Sequence, residues 1–432
     1  MAPAQLSDNT RRSEILDTAE LLIATRGLRT SLQEIASAAG ILTGSLYHHF
    51  VSRDDLLLAL VRRYHSDLAD VSAAGLRRLD THDSVTAEDK IIELGADIAH
   101  CAVRNRAALQ MSFYGAPFDN AELVELLRAS PVSAVDAMVQ TLRAGRWSGD
   151  VRPELDLPVL ANRLCQSMLH VGLDVVRGDL PPAEVATALC RIMLKGLVFE
   201  SPADEGLDES AALRAAQQVI DTWTDNQTAV AGLNVKAAHI RRTALTVFGR
   251  KGFEVTTIRD IAAAASLNAA TVYRIIGSKE DLLASIMRDF GAKTVTASVA
   301  AMDAPATPVQ KLDALSWIFI NAVAQFPDEW KIQLAWMRQS PPGTPNPGYA
   351  FGERMQQLRE LLTAGIDSGE LRGHGISRDL LTRCVMDVLW VPEDIIRDTG
   401  IRGALTLARE TVLRGASQRR DLSAGTVGPL QK

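Results

Sequence analysis

Apolar residues recur at helical spacing through most of this chain, and the same arrangement is written twice. Ile15, Ala19, Leu22 and Ile23 fall on one helical stripe, and Ile240, Ala244, Val247 and Phe248 fall on another. Gly27 and Gly252 follow these stripes, at the place where a chain leaving a helix commonly needs positive φ. Next come Ser31-Leu32-Gln33-Glu34 and Thr257-Ile258-Arg259-Asp260, in which a hydroxyl can cap a new helix and an acid three residues on can reach back. Each predicts a short, Ala-rich helix, Ile35 to Ala39 and Ile261 to Ala265. A turn at Gly40-Ile41-Leu42 or Ser266-Leu267-Asn268 then leads to a third helix that carries Tyr47 or Tyr273. Capping patterns at Ser52-Arg53-Asp54-Asp55 and Ser278-Lys279-Glu280-Asp281 announce a fourth. Helix, tight turn, helix is the helix-turn-helix pattern, whose last helix is built to enter a major groove.

The repetition is in register. From Ile35 to Leu57 and from Ile261 to Leu283, 226 residues further on, nine of 23 positions are identical, including Tyr47/Tyr273 and the closing Asp-Leu-Leu. A period above 200 residues is too long for a solenoid and suits two copies of a whole domain pair. The copies extend beyond the DNA-reading units: Gly149-Asp150-Val151-Arg152 matches Gly369-Glu370-Leu371-Arg372, and Leu194-Lys195-Gly196 matches Leu413-Arg414-Gly415. Apolar-periodic stretches at 87–112, 120–144, 157–176 and 182–197 predict the first helical body, and those at 307–325, 328–339, 350–367, 377–391 and 402–413 the second. Alternating strand patterns are nearly absent, so the expected class is all-α. The expected domains are a helix-turn-helix unit at 10–56, a helical regulatory domain at 57–200, a linker at 201–234, a second helix-turn-helix unit at 235–282 and a second regulatory domain at 283–420. The linker reads as an acidic loop, 201–206, followed by a helix over 209–224.

The run Gly40-Ile41-Leu42-Thr43-Gly44-Ser45-Leu46-Tyr47-His48-His49-Phe50, followed by Ser52-Arg53-Asp54-Asp55-Leu56-Leu57, resembles the TetR family of bacterial transcriptional regulators. The second copy is similar, with Ser266 where the family turn prefers glycine, Arg274 for the usual histidine and Ile276 for the usual aromatic. In the first copy Leu42 stands where the family has a serine that caps the recognition helix. The resemblance implies a helix-turn-helix unit and a helical ligand-binding body in each copy. It also implies phosphate contacts from Tyr47, His48, Arg53, Tyr273, Arg274 and Lys279. Thr43, Gly44 and Ser45, with Ala269, Ala270 and Thr271, open the two recognition helices, where short side chains let the helix approach base edges. Relatives of this family work as two-fold dimers, so one chain with two units is expected to act as a pseudo-dimer on an operator, its heads about 34–36 Å apart. A tether makes their association intramolecular, at an effective concentration of order mM.

Charge is divided unequally. The net charge is −6, yet 236–283 carries eight Lys/Arg against four acids, whereas 11–57 carries five Arg against six. Local balance governs phosphate attraction, so the second head is electrostatically the stronger. With 47% apolar and 23% charged residues, no long apolar run and a polar N-terminus, a cytoplasmic protein without a membrane span is expected. The four cysteines lack ligand spacing and read most simply as reduced core thiols. The dispersed histidines and the lack of HExxH, GxSxG or GxxxxGK[ST] argue against an enzyme, and no cofactor or metal is expected.

Family resemblance also implies a small apolar or amphipathic effector among the body helices. Candidate pocket residues are Met111, Phe113, Tyr114, Trp147, Met168 and His170 in the first copy and Trp317, Phe319, Trp336, Met337 and Trp390 in the second, with core or inter-lobe packing the plainer reading of each. Two alternatives stay open at this point: one head is degenerate and the chain homodimerises on DNA, or the chain is a helical interaction scaffold without a DNA role.

Overall fold

The computed structural model describes residues 3–81, 84–112, 120–129, 131–171, 180–200, 202–228, 235–253, 255–339 and 351–418. The first head comprises α1 (Pro3–Arg26), α2 (Leu32–Ala38) and α3 (Thr43–His49), and the long α4 (Arg53–Leu79) carries the chain into the first body. That body continues through α5 (Ala87–Arg104), α6 (Arg106–Ser112), α7 (Ala121–Arg128), α8 (Val132–Trp147), α9 (Leu157–His170) and α10 (Pro182–Lys195). A connecting pair, α11 (Asp204–Asp208) and α12 (Ala211–Thr228), leads to the second head, α13 (Val235–Lys251), α14 (Ile258–Ala264) and α15 (Ala269–Ile276). The second body follows as α16 (Lys279–Asp303), α17 (Pro308–Gln325), α18 (Pro327–Gln339), α19 (Phe351–Asp367), α20 (Arg378–Leu389) and α21 (Glu393–Ala408), which ends in a π turn, Arg409–Leu413. Among the described residues no strand forms; the only extended pairing is two isolated bridges, Val151 with Ser417 and Val198 with Leu371. The chain is all-α.

Three predicted stretches are divided in ways that periodicity alone does not reveal. Residues 87–112 form two helices because Asn105 leaves the helical region and turns its amide onto Cys101 O (3.1 Å) and Asp67 (2.9 Å). Residues 120–144 break before Pro131. The helix expected at 402–413 starts nine residues earlier, at Glu393 after Pro392, and kinks at Gly400 (φ 74°). The acidic start of the linker, expected as a loop, contains α11. Its Asp204 and Asp208 face Arg402, Arg409 and Arg414 of the second body, and Arg409 also grips the buried Asp313 at 2.9 and 2.8 Å. Beyond it, α12 packs along α16 and α17, where Trp223 is buried against Phe326 and Trp317 Nε1 donates to Gln217 Oε1 (2.7 Å).

The two copies meet reciprocally. The segment after α10 crosses the segment after the π turn, and equivalent residues make equivalent main-chain bonds. Leu197 N donates to Val412 O (2.8 Å) as Ala416 N does to Met193 O (2.9 Å). Val198 N to Leu413 O (3.1 Å) is mirrored by Ser417 N to Leu194 O (2.7 Å). Arg372 N to Leu197 O (2.6 Å) is mirrored by Arg152 N to Ala416 O (3.0 Å), and Phe199 N to Glu370 O (3.3 Å) by Gln418 N to Asp150 O (2.8 Å). At the crossing lie Gly196 (φ 67°) and Gly415 (φ 85°). A Cβ on Gly196 would stand 2.3 Å from Leu413 O, and one on Gly415 2.3 Å from the Lys195 carbonyl carbon. Around this point α10 packs on α20 and on the π turn, α9 touches α21, and the buried Arg163, lowered to about 10 by burial, donates to Val388 O (2.7 Å).

Each head docks on its body through its first helix: α1 lies on α6, and α13 on α18. Helix α18 also touches α1, so one element of the second body borders both heads. In the first dock the buried Glu20 accepts a hydrogen bond from Ala107 N (2.6 Å), while Arg106 and Gln110 donate to Ala24 O. Burial raises the Glu20 carboxyl from 4.5 to about 7; the Ala107 N–H, Arg63 and Arg106 oppose the rise, and Asp17 adds to it. The folded chain thus holds a proton there that the unfolded chain releases near 4.5. The associated stability is complete below that pH and is lost as pH climbs through about 7.

Two outcomes follow for stability. Gly196→Ala should lower the melting temperature sharply, by more than about 2 kcal/mol in stability, because strain and steric overlap combine. Gly149→Ala, at positive φ (75°) but with open space around its Cβ, should cost only about 1 kcal/mol; equal losses would remove the close approach as the cause. Glu20→Gln keeps the acceptor for Ala107, and its melting temperature relative to the parent should rise as pH goes from about 5 to about 8, with up to ~3 kcal/mol at stake. Parallel pH profiles would show that another group titrates.

Candidate nucleic-acid interface and effector pocket

The reading units are built alike from local rules. Ser31 and Glu34 cap α2 reciprocally, as Thr257 and Asp260 cap α14. Both helices end in the same turn, closed by Ile41 N to Ala36 O (3.0 Å) and Leu267 N to Ala262 O (2.8 Å). The turn requires positive φ: Gly40 supplies it at 66°, whereas Ser266 adopts 55° at a cost of order 1 kcal/mol. Each recognition helix buries one residue, Leu46 or Val272, and the chain behind α3 is anchored by the buried Phe50. With that face inward, the opposite face is outward. Gly44, Ser45 and His48 are exposed and Thr43 is half-buried; Ala270 and Arg274 are exposed, and Ala269 and Thr271 half-buried. Tyr47 and Tyr273 are 51% and 57% exposed.

Arg53 and Lys279 are placed differently from what the resemblance implied. Arg53 turns inward and donates to Leu28 O, and Lys279 Nζ donates to Phe253 O (2.9 Å) and Thr256 O (3.1 Å) while lying 4.2 Å above the Phe253 ring. Both charged ends brace the chain just past the first helix of their head, and burial lowers Arg53 from its usual value. Two further braces escaped the sequence reading: Arg11 donates to Ala39 O (3.2 Å), and a His239 ring nitrogen sits 3.2 Å from the equivalent Ala265 O. Each ties the first helix to the end of the second. In the second head Arg241 is drawn to Asp289 and Lys251 to Asp260, whereas Arg242, Arg250, Arg259 and Arg274 are exposed.

Among the described residues, the candidate aromatic and sulfur side chains do not gather around one cavity. Met111 is buried, and Met168 is buried against Cys190. His170 packs edge-on to Trp390 (4.9 Å between centroids), joining the two bodies, and Trp390 continues to Trp330 (5.9 Å). Trp317 is held by Gln217 and covered by Arg402, whereas Trp147 is 81% exposed. Phe113, Tyr114 and the side chains of Trp336 and Met337 lie outside the described residues. A small recess of about 20 Å³ does open in the second body, lined by Ser298, Met302, Leu315, Phe319, Arg354, Gln357, Leu358, Met386 and Leu389. Of these only Phe319 was anticipated. The sequence held a signal for Arg354: with Leu358, Leu361 and Leu362 it occupies a helical apolar stripe, and it is buried with Nη2 2.6 Å from Thr294 Oγ1.

The four cysteines are buried and free, and burial pushes the Cys101 and Cys190 thiols up to about 12. Among the described residues no His, Cys, Asp and Glu cluster could hold a metal ion, and no helix is long and apolar enough to cross a membrane.

Comparison with known proteins agrees with the duplicated geometry. The family described as "Bacterial regulatory proteins, tetR family" matches at residues 15–60 and again at 240–286. The HTH-type transcriptional repressor KstR2 of Rhodococcus jostii (strain RHA1) is 30% identical over 216 residues, which span 46% of this chain and 98% of that protein. The HTH-type transcriptional regulator UidR of Escherichia coli (strain K12) is 22% identical over 191 residues, 44% of this chain and 94% of its own. Among solved structures, the ketosteroid transcriptional regulator KstR2 of Mycobacterium tuberculosis aligns with 41% of this chain and 89% of its own at 23% identity and a TM-score of 0.33. This chain belongs to the TetR family of bacterial transcriptional regulators, and it carries the family's DNA-binding unit twice.

Proposed function

We propose that the chain is a ligand-responsive repressor that grips one operator with both of its heads as an intramolecular pseudo-dimer. The observation that carries this reading is the reciprocal crossing at Gly196 and Gly415, in which each of four main-chain hydrogen bonds has its counterpart in the other copy. Reciprocity is the signature of a two-fold interface, and here both halves belong to one strand of protein. The outward faces of α3 and α15 would then enter successive major grooves about 34–36 Å apart. Thr43, Gly44 and Ser45, with Ala269, Ala270 and Thr271, approach base edges; Tyr47, His48, Tyr273 and Arg274 approach phosphates. Arg53 and Lys279 act indirectly, by holding the head's shape. The repressor names of relatives support the sign of regulation.

The effector in this reading is a small apolar or amphipathic molecule that enters the second body beside Phe319, Met386 and Arg354, where apolar walls meet one cation. Prying that recess open displaces α17, on which α18 packs, and α18 lies against the first helix of each head. One ligand would thereby shift both heads.

Mass in solution combined with a gel shift on DNA flanking the gene tests the reading. A monomer bound once per operator is expected. A two-chain complex on DNA would favour a degenerate second head, for which the strained Ser266 speaks, and the lack of any shift would favour a scaffold. Tyr47→Phe and Tyr273→Phe should each weaken operator binding by about 1 kcal/mol, the worth of one hydrogen bond, in fluorescence anisotropy; unchanged affinity in both variants excludes the phosphate role.

A further inference from the structure

Leu42 closes the turn that precedes α3, and it is out of keeping with everything around it. Its side chain is 79% exposed, whereas the neighbouring Ile41 packs against the core. Its backbone is extended (φ −71°, ψ 145°), and α3 receives no side-chain cap. Every comparable helix start in the two heads is capped: Ser31, Ser52, Thr257 and Ser278 each accept from a backbone N–H, and Asn268, the counterpart of Leu42, accepts from Thr271 N at 2.7 Å. Leucine at this position thus forfeits a cap and keeps an aliphatic group in water, and no contact given among the described residues compensates for the lost cap. Such a residue stays worthwhile when it is covered by something outside the chain.

The neighbourhood says what covers it. Leu42 leads directly into the outward-facing residues Gly44, Ser45 and Tyr47, and Val51, just past the same helix, is 84% exposed. This aliphatic surface belongs to the head in which acids outnumber bases, so charge contributes less to its grip. A major groove offers an aliphatic side chain one apolar partner, the C5-methyl group of thymine. We infer that Leu42 is a specificity-determining residue of the first head, packed on a thymine methyl in its half of the operator. Asn268 is committed to its cap and does not take the equivalent role, so the two half-sites differ at this base pair.

The inference rests on the reading that the first head docks on DNA, and the test keeps the two apart. A duplex is selected from a randomised DNA pool with the full-length chain, and its thymines are replaced singly by uracil, which lacks only the methyl group. The parent should lose affinity about fourfold, the worth of one buried methyl, at one uracil position in one half-site. Leu42→Asn should melt higher, because a cap is restored, and yet bind the thymine duplex more weakly and without that uracil penalty. Leu42→Ala, which restores no cap, should lose the same penalty. If a duplex is selected but the parent is indifferent to every uracil, or if both variants keep the penalty, the thymine contact is overturned while the DNA reading stands. Parent-like affinity of both variants for the thymine duplex would assign Leu42 to a protein partner instead. Failure to select any duplex would overturn both the reading and the inference.

Discussion

Two backbones pass each other at Gly196 and Gly415 at a distance that leaves no room for a side-chain carbon on either. Main-chain groups satisfy one another there across the boundary between copies, in four reciprocal pairs of hydrogen bonds. Because the inner donors and acceptors belong to the buried Met193, Leu197, Val412 and Ala416, their pairing is obligatory and restricts how the two bodies can meet. The packing of α10 on α20 and the anchoring of Arg163 on Val388 O add area and direction to a junction whose closeness the glycines set. The separation of the recognition helices inherits whatever precision this junction has, because each head rests on its body mainly through its first helix.

Much of this was legible in the chain because the heads are assembled from short-range rules. Capping boxes, glycine after a helix, and an Ala-rich second helix each act within about one turn of the backbone, so the order α1 to α4 and its repeat could be read directly. The matching Leu194-Lys195-Gly196 and Leu413-Arg414-Gly415 were visible as a repeat, but that these glycines oppose each other is a fact of tertiary geometry with no local signature. The inward turn of Arg53 and Lys279 was hidden for the same reason: a basic residue beside a recognition helix looks the same whether it turns to solvent or to a carbonyl such as Leu28 O. The break at Asn105 was hidden because apolar spacing runs across it, while its cause, Asp67, lies on α4. Trp317 and Trp390 were pocket candidates with packing the plainer reading, and their packing partners, Gln217, His170 and Trp330, are ones that sequence does not name.

The copies have diverged in how they pay for the same turn. The first has Gly40 at positive φ and no cap on α3; the second has a strained Ser266 and a good cap from Asn268. Their surfaces diverge likewise, with Arg242, Arg250, Arg259 and Arg274 exposed on the second and Leu42 and Val51 exposed beside the recognition helix of the first. Departures of this kind cost little in the shared interior, where Leu46 and Val272 are both buried.

The linker has a further consequence. In a dimer of identical chains any substitution appears in both reading heads at once, and recognition is bound to palindromes. Here α11 and α12 join two heads encoded by separate codons, and ion pairs from Asp204 and Asp208 clamp the junction to the second body. With both heads on one operator, as proposed, mutation could revise one head while its sister keeps its vocabulary, and lineages carrying this architecture would be free to drift toward lopsided operators that no symmetric regulator would favour.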